Sequence, residues 1–237
     1  MNKWGLAFLV VLGSLLVWAY LIFRMQHAAF WRSQIMAFAK SDSVNPPKVG
    51  AIVFTGSSSI RYWKTLDKDM APLPVINRGF GGAHISHVNE YVEQVVIPCK
   101  PQAVVLYAGE NDLGWPSKKT PETVCEDFKT FVKSVQARSP STRIYFLSIK
   151  LSPFRRSRWA RMQTANRLIK EFASTTAGVT FVDISTPMLE VNGAPRSALM
   201  PWYRLHMTRE GYELWTSIIK PVLTRDSVVP IRHERQP

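Results

Sequence analysis

"AIVFTGSSSIRYW", Ala51 to Trp63, places an apolar run ahead of one glycine, three serines and an aromatic pair. A short apolar run bounded by turn residues reads as a buried strand. Gly56 allows a tight turn after it. A helix starting at the serines would aim backbone N–H groups at whatever a serine hydroxyl attacks. A slack polar linker would not be bracketed by "AIVF" and "IRYW".

The same pattern recurs along the chain. Strand-like runs at Ala51–Phe54, Val75–Ile76, Ala103–Tyr107, Ile144–Ser148 and Val179–Asp183 alternate with helix-like segments at Val88–Val96, Pro121–Arg138, Ser157–Thr176 and Thr208–Leu223. Apolar strands separated by helices predict a parallel sheet covered on both faces, an α/β/α sandwich. Thr120 before Pro121 supplies an N-cap and a first-turn proline, and Thr208 is placed to cap the last helix. In such a sheet, ligands gather beyond the carboxyl ends of the strands. Gly56 to Ser59, "NRGFGGAH" (77–84) and "YAGENDLGW" (107–115) all fall there, and "YRLHMTREGYELW" (203–215) opens the last helix.

The chain has 237 residues, 46% of them apolar and 20% charged, which suits one α/β domain with a short appendage. Thirty Lys and Arg against seventeen Asp and Glu give a formal charge of +13, which favours anionic neighbours without naming one. No nucleic-acid motif frames the cluster Arg155, Arg156, Arg158 and Arg161, so no nucleic-acid partner is expected. Trp4 to Phe23 is free of charge between Lys3 and Arg24, and roughly 20 apolar residues cross a bilayer. Residues 1–24 are therefore expected as a single-pass membrane helix with Trp4, Trp18 and Tyr20 toward its ends. The run is longer than the apolar core of a cleaved signal. Residues 25–48 read as an amphipathic stalk and linker ending at Pro46-Pro47, 49–224 as the folded domain, and 225–237 as a polar tail. Flanking charges do not fix the orientation; the domain is expected on the periplasmic or extracellular side. Cys99 and Cys125 would pair in an oxidising compartment and stay as thiols in a reducing one.

"GSSSIRYW", "NRGFGG", "YAGEND" and "LHMTREGYELW", in that order, resemble the four motif blocks of the SGNH hydrolases, also called GDSL-type esterases and lipases, over about 49–223. The wording is similar to the branch with Ser in place of the Asp of the first motif. The resemblance implies a flavodoxin-like parallel sheet in a three-layer sandwich, with no cofactor. By position it makes Ser58 the nucleophile and His206 the base. The oxyanion donors would be the Ser58 and Gly82 N–H groups and the Asn111 side chain. Those types suit the chemistry: a hydroxyl attacks a carbonyl once a base of near-neutral pKa takes its proton, and the oxyanion then needs fixed donors. Singly, Ser58 could cap a helix, Gly82 permit a turn and Asn111 brace a loop; Asp112 is read as holding its loop.

The family's last block usually reads Asp-X-X-His. Here the Asp position is Tyr203, which supplies no negative charge at neutral pH. A main-chain carbonyl, or a carboxylate such as Glu210 or Asp183, would then have to orient His206; otherwise only binding would survive. Arg155 and Arg158 are candidate substrate contacts on the ligand-facing rim. No histidine, cysteine or carboxylate spacing suggests a metal. The expected activity is hydrolysis of an acyl lipid or an O-acetylated glycan through an acyl-enzyme. The alternatives are an inactive binding module, or an acyltransferase to a sugar hydroxyl.

Overall fold

The computed structural model describes residues 3–24 and 27–227. Five parallel strands, β1 (Ile52–Gly56), β2 (Val75–Gly79), β3 (Ala103–Tyr107), β4 (Arg143–Leu147) and β5 (Val179–Val182), lie in the order β2-β1-β3-β4-β5. All five coincide within a few residues with the apolar runs of the sequence. Because consecutive side chains point to opposite faces of a strand, Val53, Val104, Leu106 and Phe146 enter one core. Ile52, Phe54, Val105 and Tyr145 enter the other.

The helices in chain order are α1 (Lys3–Arg24), α2 (Arg32–Val44), α3 (Ser58–Arg61), α4 (Leu66–Met70), α5 (Ile85–Glu90), α6 (Val92–Val95), α7 (Pro121–Arg138), α8 (Trp159–Ser174) and α9 (Arg209–Ser227). Residues of α2 and α5–α8 pack on the first face, and those of α3, α4 and α9 on the second. This is the expected three-layer sandwich. The helix expected over Val88–Val96 is instead two short ones meeting at Tyr91, and the one expected from Ser157 begins with a 3-10 turn, Pro153–Arg158. Thr120 caps α7 by accepting from the Thr123 N–H at 3.2 Å, and Thr208 accepts from Gly211 N–H at 3.3 Å.

The chain direction reverses its spread across the sheet at β1, between β2 and β3, and the site is built there. Gly56 pairs in register with Gly79 on one side and Tyr107 on the other, so three motif loops leave the sheet at one level. Gly56 has φ +124°, and a Cβ on it would lie 2.0 Å from the Tyr107 carbonyl oxygen. Only glycine fits both demands.

Three expectations change. Segment 25–48 is not a stalk: from residue 27 it is part of the body. Trp31 and Ile35 are buried, and Trp31 Nε1 donates to Gly81 O at 2.7 Å. Gln34 donates to Gly79 O at 3.2 Å, and Asp42 pairs with Arg78. Burying a Trp-sized side chain contributes about 2–3 kcal/mol, enough to dock this segment. The polar tail also starts later than 225, because α9 runs to Ser227 and Tyr145 Oη donates to Asp226 at 2.7 Å; residues 228–237 lie outside the described ones.

The run expected to span a membrane does form one helix, α1. The side chains of Lys3, Trp18, Ala19 and residues 21–24 fall outside the described set, and among the described residues no helix is long and apolar enough to cross a membrane. The spanning assignment is thus not carried by the fold. Cys99 and Cys125 are both free and buried, so no disulfide argues for an oxidising compartment.

Candidate active site

Ser58 is the first residue of α3, directly after the β1 turn. His206 lies on the loop before α9, and its Nε2 is 3.0 Å from Ser58 Oγ. Two ties, one to α3 and one to α4, hold α9 in place and support this separation. Tyr212 Oη donates to Ser59 O at 2.9 Å, and the Arg209 guanidinium grips the Asp69 carboxylate with two bonds of 2.7 and 2.8 Å. Trp63 and Thr65 also donate to Asp69. Burial would raise its pKa, but these bonds outweigh it and hold the carboxyl at about 2.

The second loop closes over the serine. A Cβ on Gly81 would lie 4.0 Å from Ser58 Cβ, and Gly82 follows with φ +79°. Among the described residues, neither the Ser58 N–H nor the Gly82 N–H donates to a protein acceptor. Asn111 Nδ2 donates to Ala83 O at 3.2 Å, which brings the third loop onto the second. Asp112 braces this junction: it is fully buried and accepts from Ile85 N–H and Lys119 Nζ. Ser58, His206 and Asn111 thus converge on the 80–84 loop.

The two candidate substrate contacts, Arg155 and Arg158, are placed differently. Arg155 turns inward, and its Nη2 donates to Asn111 Oδ1 at 2.8 Å. An arginine only donates, so it settles which way the amide faces: Oδ1 is taken, and Nδ2 keeps a second N–H beyond the one given to Ala83. Gly114 leaves the space, since a Cβ there would sit 1.3 Å from Arg155 Nη1. Arg158 ends the same 3-10 turn half-buried, and among the described residues none of its contacts joins it to Ser58, His206 or Asn111. Arg155 is therefore placed to orient the Asn111 amide. Arg155→Met is expected to lower ester turnover about 10²-fold, approaching the loss for Asn111→Ala, and the double variant should fall little further. Because Arg155 also depresses His206, the acid limb of the pH–rate profile should move up in Arg155→Met, a shift a merely structural role would not give.

Beneath the site lies a charged cluster that the sequence reading missed. Glu110, inside "YAGEND", is buried and accepts from Lys150 Nζ, Ser152 Oγ and, at 3.1 Å, Tyr107 Oη. Lys150 is fully buried. Burial raises the Glu110 carboxyl, but Lys150 and Arg155 outweigh it and hold it below the ordinary value. The signal was a lone lysine closing the apolar run "IYFLSIK". His206 feels the same cluster: burial, then the Lys150 and Arg155 charges, lower its pKa, while Glu110 opposes. Its neutral form is thereby favoured, the form a base needs.

Among the described residues nothing replaces the absent aspartate. Among the described residues no carboxylate or carbonyl hydrogen-bonds His206 Nδ1. The imidazole instead makes T-shaped contacts with Tyr62, centroids 4.9 Å apart, and Tyr203, 5.6 Å apart. Asp183 is engaged elsewhere, accepting from the Ser185 and Thr186 N–H groups at 3.0 Å. Glu210 is exposed on α9.

His84 is the N-cap residue of α5, buried, with its ring stacked on His87 at 4.6 Å. Burial first, then Lys119 and Arg155 against the opposing Asp127, push its pKa down from 6.5 to about 4. The unfolded chain therefore binds this proton first, and stability is lost as pH falls from 6.5 toward 4, by about 3 kcal/mol in all. Urea melts at pH 7 and 4.5 should show this slope reduced in His84→Gln.

Residues 48–214 match the model of the GDSL-like lipase/acylhydrolase family. The chain belongs to that family. Its class of activity, serine ester hydrolysis, follows from membership. No curated protein matches the chain. Solved structures share the GDSL-like fold. A GDSL-like lipase from Bacteroides thetaiotaomicron is 20% identical, with a TM-score of 0.70 over 81% of this chain and 98% of that one. The lipase/acylhydrolase from Enterococcus faecalis is 18% identical, at 0.65 over 75% and 97%. A carbohydrate esterase family 3 protein from Talaromyces cellulolyticus is 15% identical, at 0.56 over 75% and 97%. At these identities the likeness is one of fold, while the GDSL-like family model carries the activity class.

Proposed function

We propose that this chain is a membrane-held carboxylesterase that works through an acyl-enzyme on Ser58. His206 Nε2 takes the proton from Ser58 Oγ as oxygen attacks the acyl carbon. It then gives the proton to the departing alcohol, and the cycle repeats with water attacking the acyl-serine. The Ser58 and Gly82 N–H groups and Asn111 Nδ2 receive the oxyanion. The observation that carries this reading is the 3.0 Å contact between Ser58 and His206. The test is covalent capture: a fluorophosphonate probe should add to Ser58 of the unmodified chain, located by peptide mass. Absence of the adduct would favour the second reading.

That second reading is an inactive binding module. Tyr203 at the motif's Asp position, with no acceptor on His206 Nδ1 among the described residues, is the observation that favours it. Membrane attachment is supported by α1, a 22-residue helix with no charge between Lys3 and Arg24, whose Trp4, Leu6, Phe8 and Leu9 are exposed. Among the described residues no element covers these side chains, which fits a lipid surround. The substrate would then be an acylated molecule at that surface. Flotation of the full chain with vesicles after a carbonate wash checks the attachment; a chain left at the bottom of the gradient would sink it.

A further inference from the structure

We propose that the rim around Ser58 is itself a docking surface for an anionic phospholipid bilayer, so that the site opens against the membrane; this rests on the esterase and attachment readings above. The rim carries large aromatic side chains that are exposed. Trp202 is 91% exposed, Phe154 68% and Trp115 62%. These residues form one collar. Trp202 lies 5.6 Å from Tyr203, and Tyr203 5.6 Å from His206. Phe154 N–H donates to Arg204 O at 3.2 Å, and Arg155 fills the space at Gly114, next to Trp115.

The charge on the collar has one sign. Segments 58–64, 114–119, 153–158 and 196–204 together hold nine Lys or Arg and no Asp or Glu. Arg155 and Lys119 are spent inward, but Arg156 and Arg204 are exposed beside Phe154 and Trp202. Exposed Trp and Phe set among cations suit the headgroup layer of an anionic leaflet, where amphipathic rings settle and basic side chains are attracted.

The tether points the same way. Only 25–27 separate the end of α1 from the turn Ala28–Trp31, whose Trp31 is bonded to Gly81 beside Ser58. Seven residues from Arg24 to Trp31 reach at most about 25 Å. An α1 embedded in a bilayer keeps the mouth near its surface.

The experiment uses the full chain in vesicles, with an environment-sensitive dye on Trp202→Cys; Cys99 and Cys125 are buried, which directs the dye to the new thiol. On adding phosphatidylglycerol to phosphatidylcholine vesicles the dye emission should shift to the blue. A dye on Ser174→Cys, exposed at the far end of α8, should not respond. The variant Phe154→Ser with Arg156→Gln and Trp202→Ser should lose about tenfold in hydrolysis of an ester lipid in the anionic vesicles. Its rate on soluble p-nitrophenyl acetate should stay unchanged. No dye response at 202, an equal response at 174, or a loss confined to an acidic O-acetylated glycan would overturn the proposal. An unmodified chain inert toward p-nitrophenyl acetate would instead fail the esterase reading. A chain that fails to float fails the attachment reading, and in both cases the dye still decides the surface.

Discussion

Hydrolysis of p-nitrophenyl acetate is expected to fall by about 10⁴-fold or more in Ser58→Ala, with His206→Ala as damaging and the double variant no worse than either. Non-additivity is the informative part, because a nucleophile and its base act as one unit. The geometry requires it: Ser58 Oγ has the His206 ring nitrogen at 3.0 Å, so removing the imidazole leaves a hydroxyl with nothing to take its proton. The donors for the oxyanion would survive either change and leave a small residual rate over water. The pH dependence follows in sign. Burial and the Lys150 and Arg155 charges lower the His206 pKa against the opposing Glu110, so the acid limb of kcat should lie below the ordinary 6.5. In Glu110→Gln it should move lower still, since the group that favours the charged imidazole is gone. Single variants whose losses multiply in the double would break the link between Ser58 and His206.

How much of this was legible depends on where each signal lay. The five strands were readable because both faces of a parallel sheet are covered, leaving runs such as "AVVLY" apolar throughout. The placement of Ser58, His206 and Asn111 was readable because each sits in a short block at a strand end or helix start. What failed was direction and depth. Arg155, in a run of arginines, looked like a solvated or ligand-facing charge, and no pattern in the chain marks one member of such a run as reaching inward to Asn111. Segment 25–48 looked like a stalk because the apolar side of α2 is narrow; its docking rests on Trp31 and Ile35. Glu110 and Lys150 lie forty positions apart, and a buried ion pair at that separation has no local periodicity. Asp183 ends a strand, and two amide bonds at 3.0 Å show it spent on the following turn.

Putting back the carboxylate that the motif lacks is the sharpest test of how this site runs. Tyr203→Asp is expected to raise the ester turnover number by about 10²-fold, since replacing a triad Asp by a neutral group costs about 10⁴-fold in a serine protease and a grafted group recovers only part. The case is electrostatic. As the proton leaves Ser58 the imidazole becomes positive, and the neighbouring rings of Tyr62 and Tyr203, in T-shaped contact with it, bring no formal charge. A carboxylate at 203 supplies one, stabilises the imidazolium and raises the His206 pKa, so the acid limb should move to higher pH while the plateau rises. Arg204 helps: its φ of +55° turns the chain sharply between residue 203 and His206, folding position 203 back toward the ring, where Tyr203 already lies 5.6 Å away. Tyr203→Asn can bond but carries no charge and should gain far less; Tyr203→Leu removes the ring and should gain nothing. Equal rates for the Asp and Leu variants would mean that residue 203 does not reach Nδ1, and that the chain works as a Ser-His pair which a distant charge cannot improve.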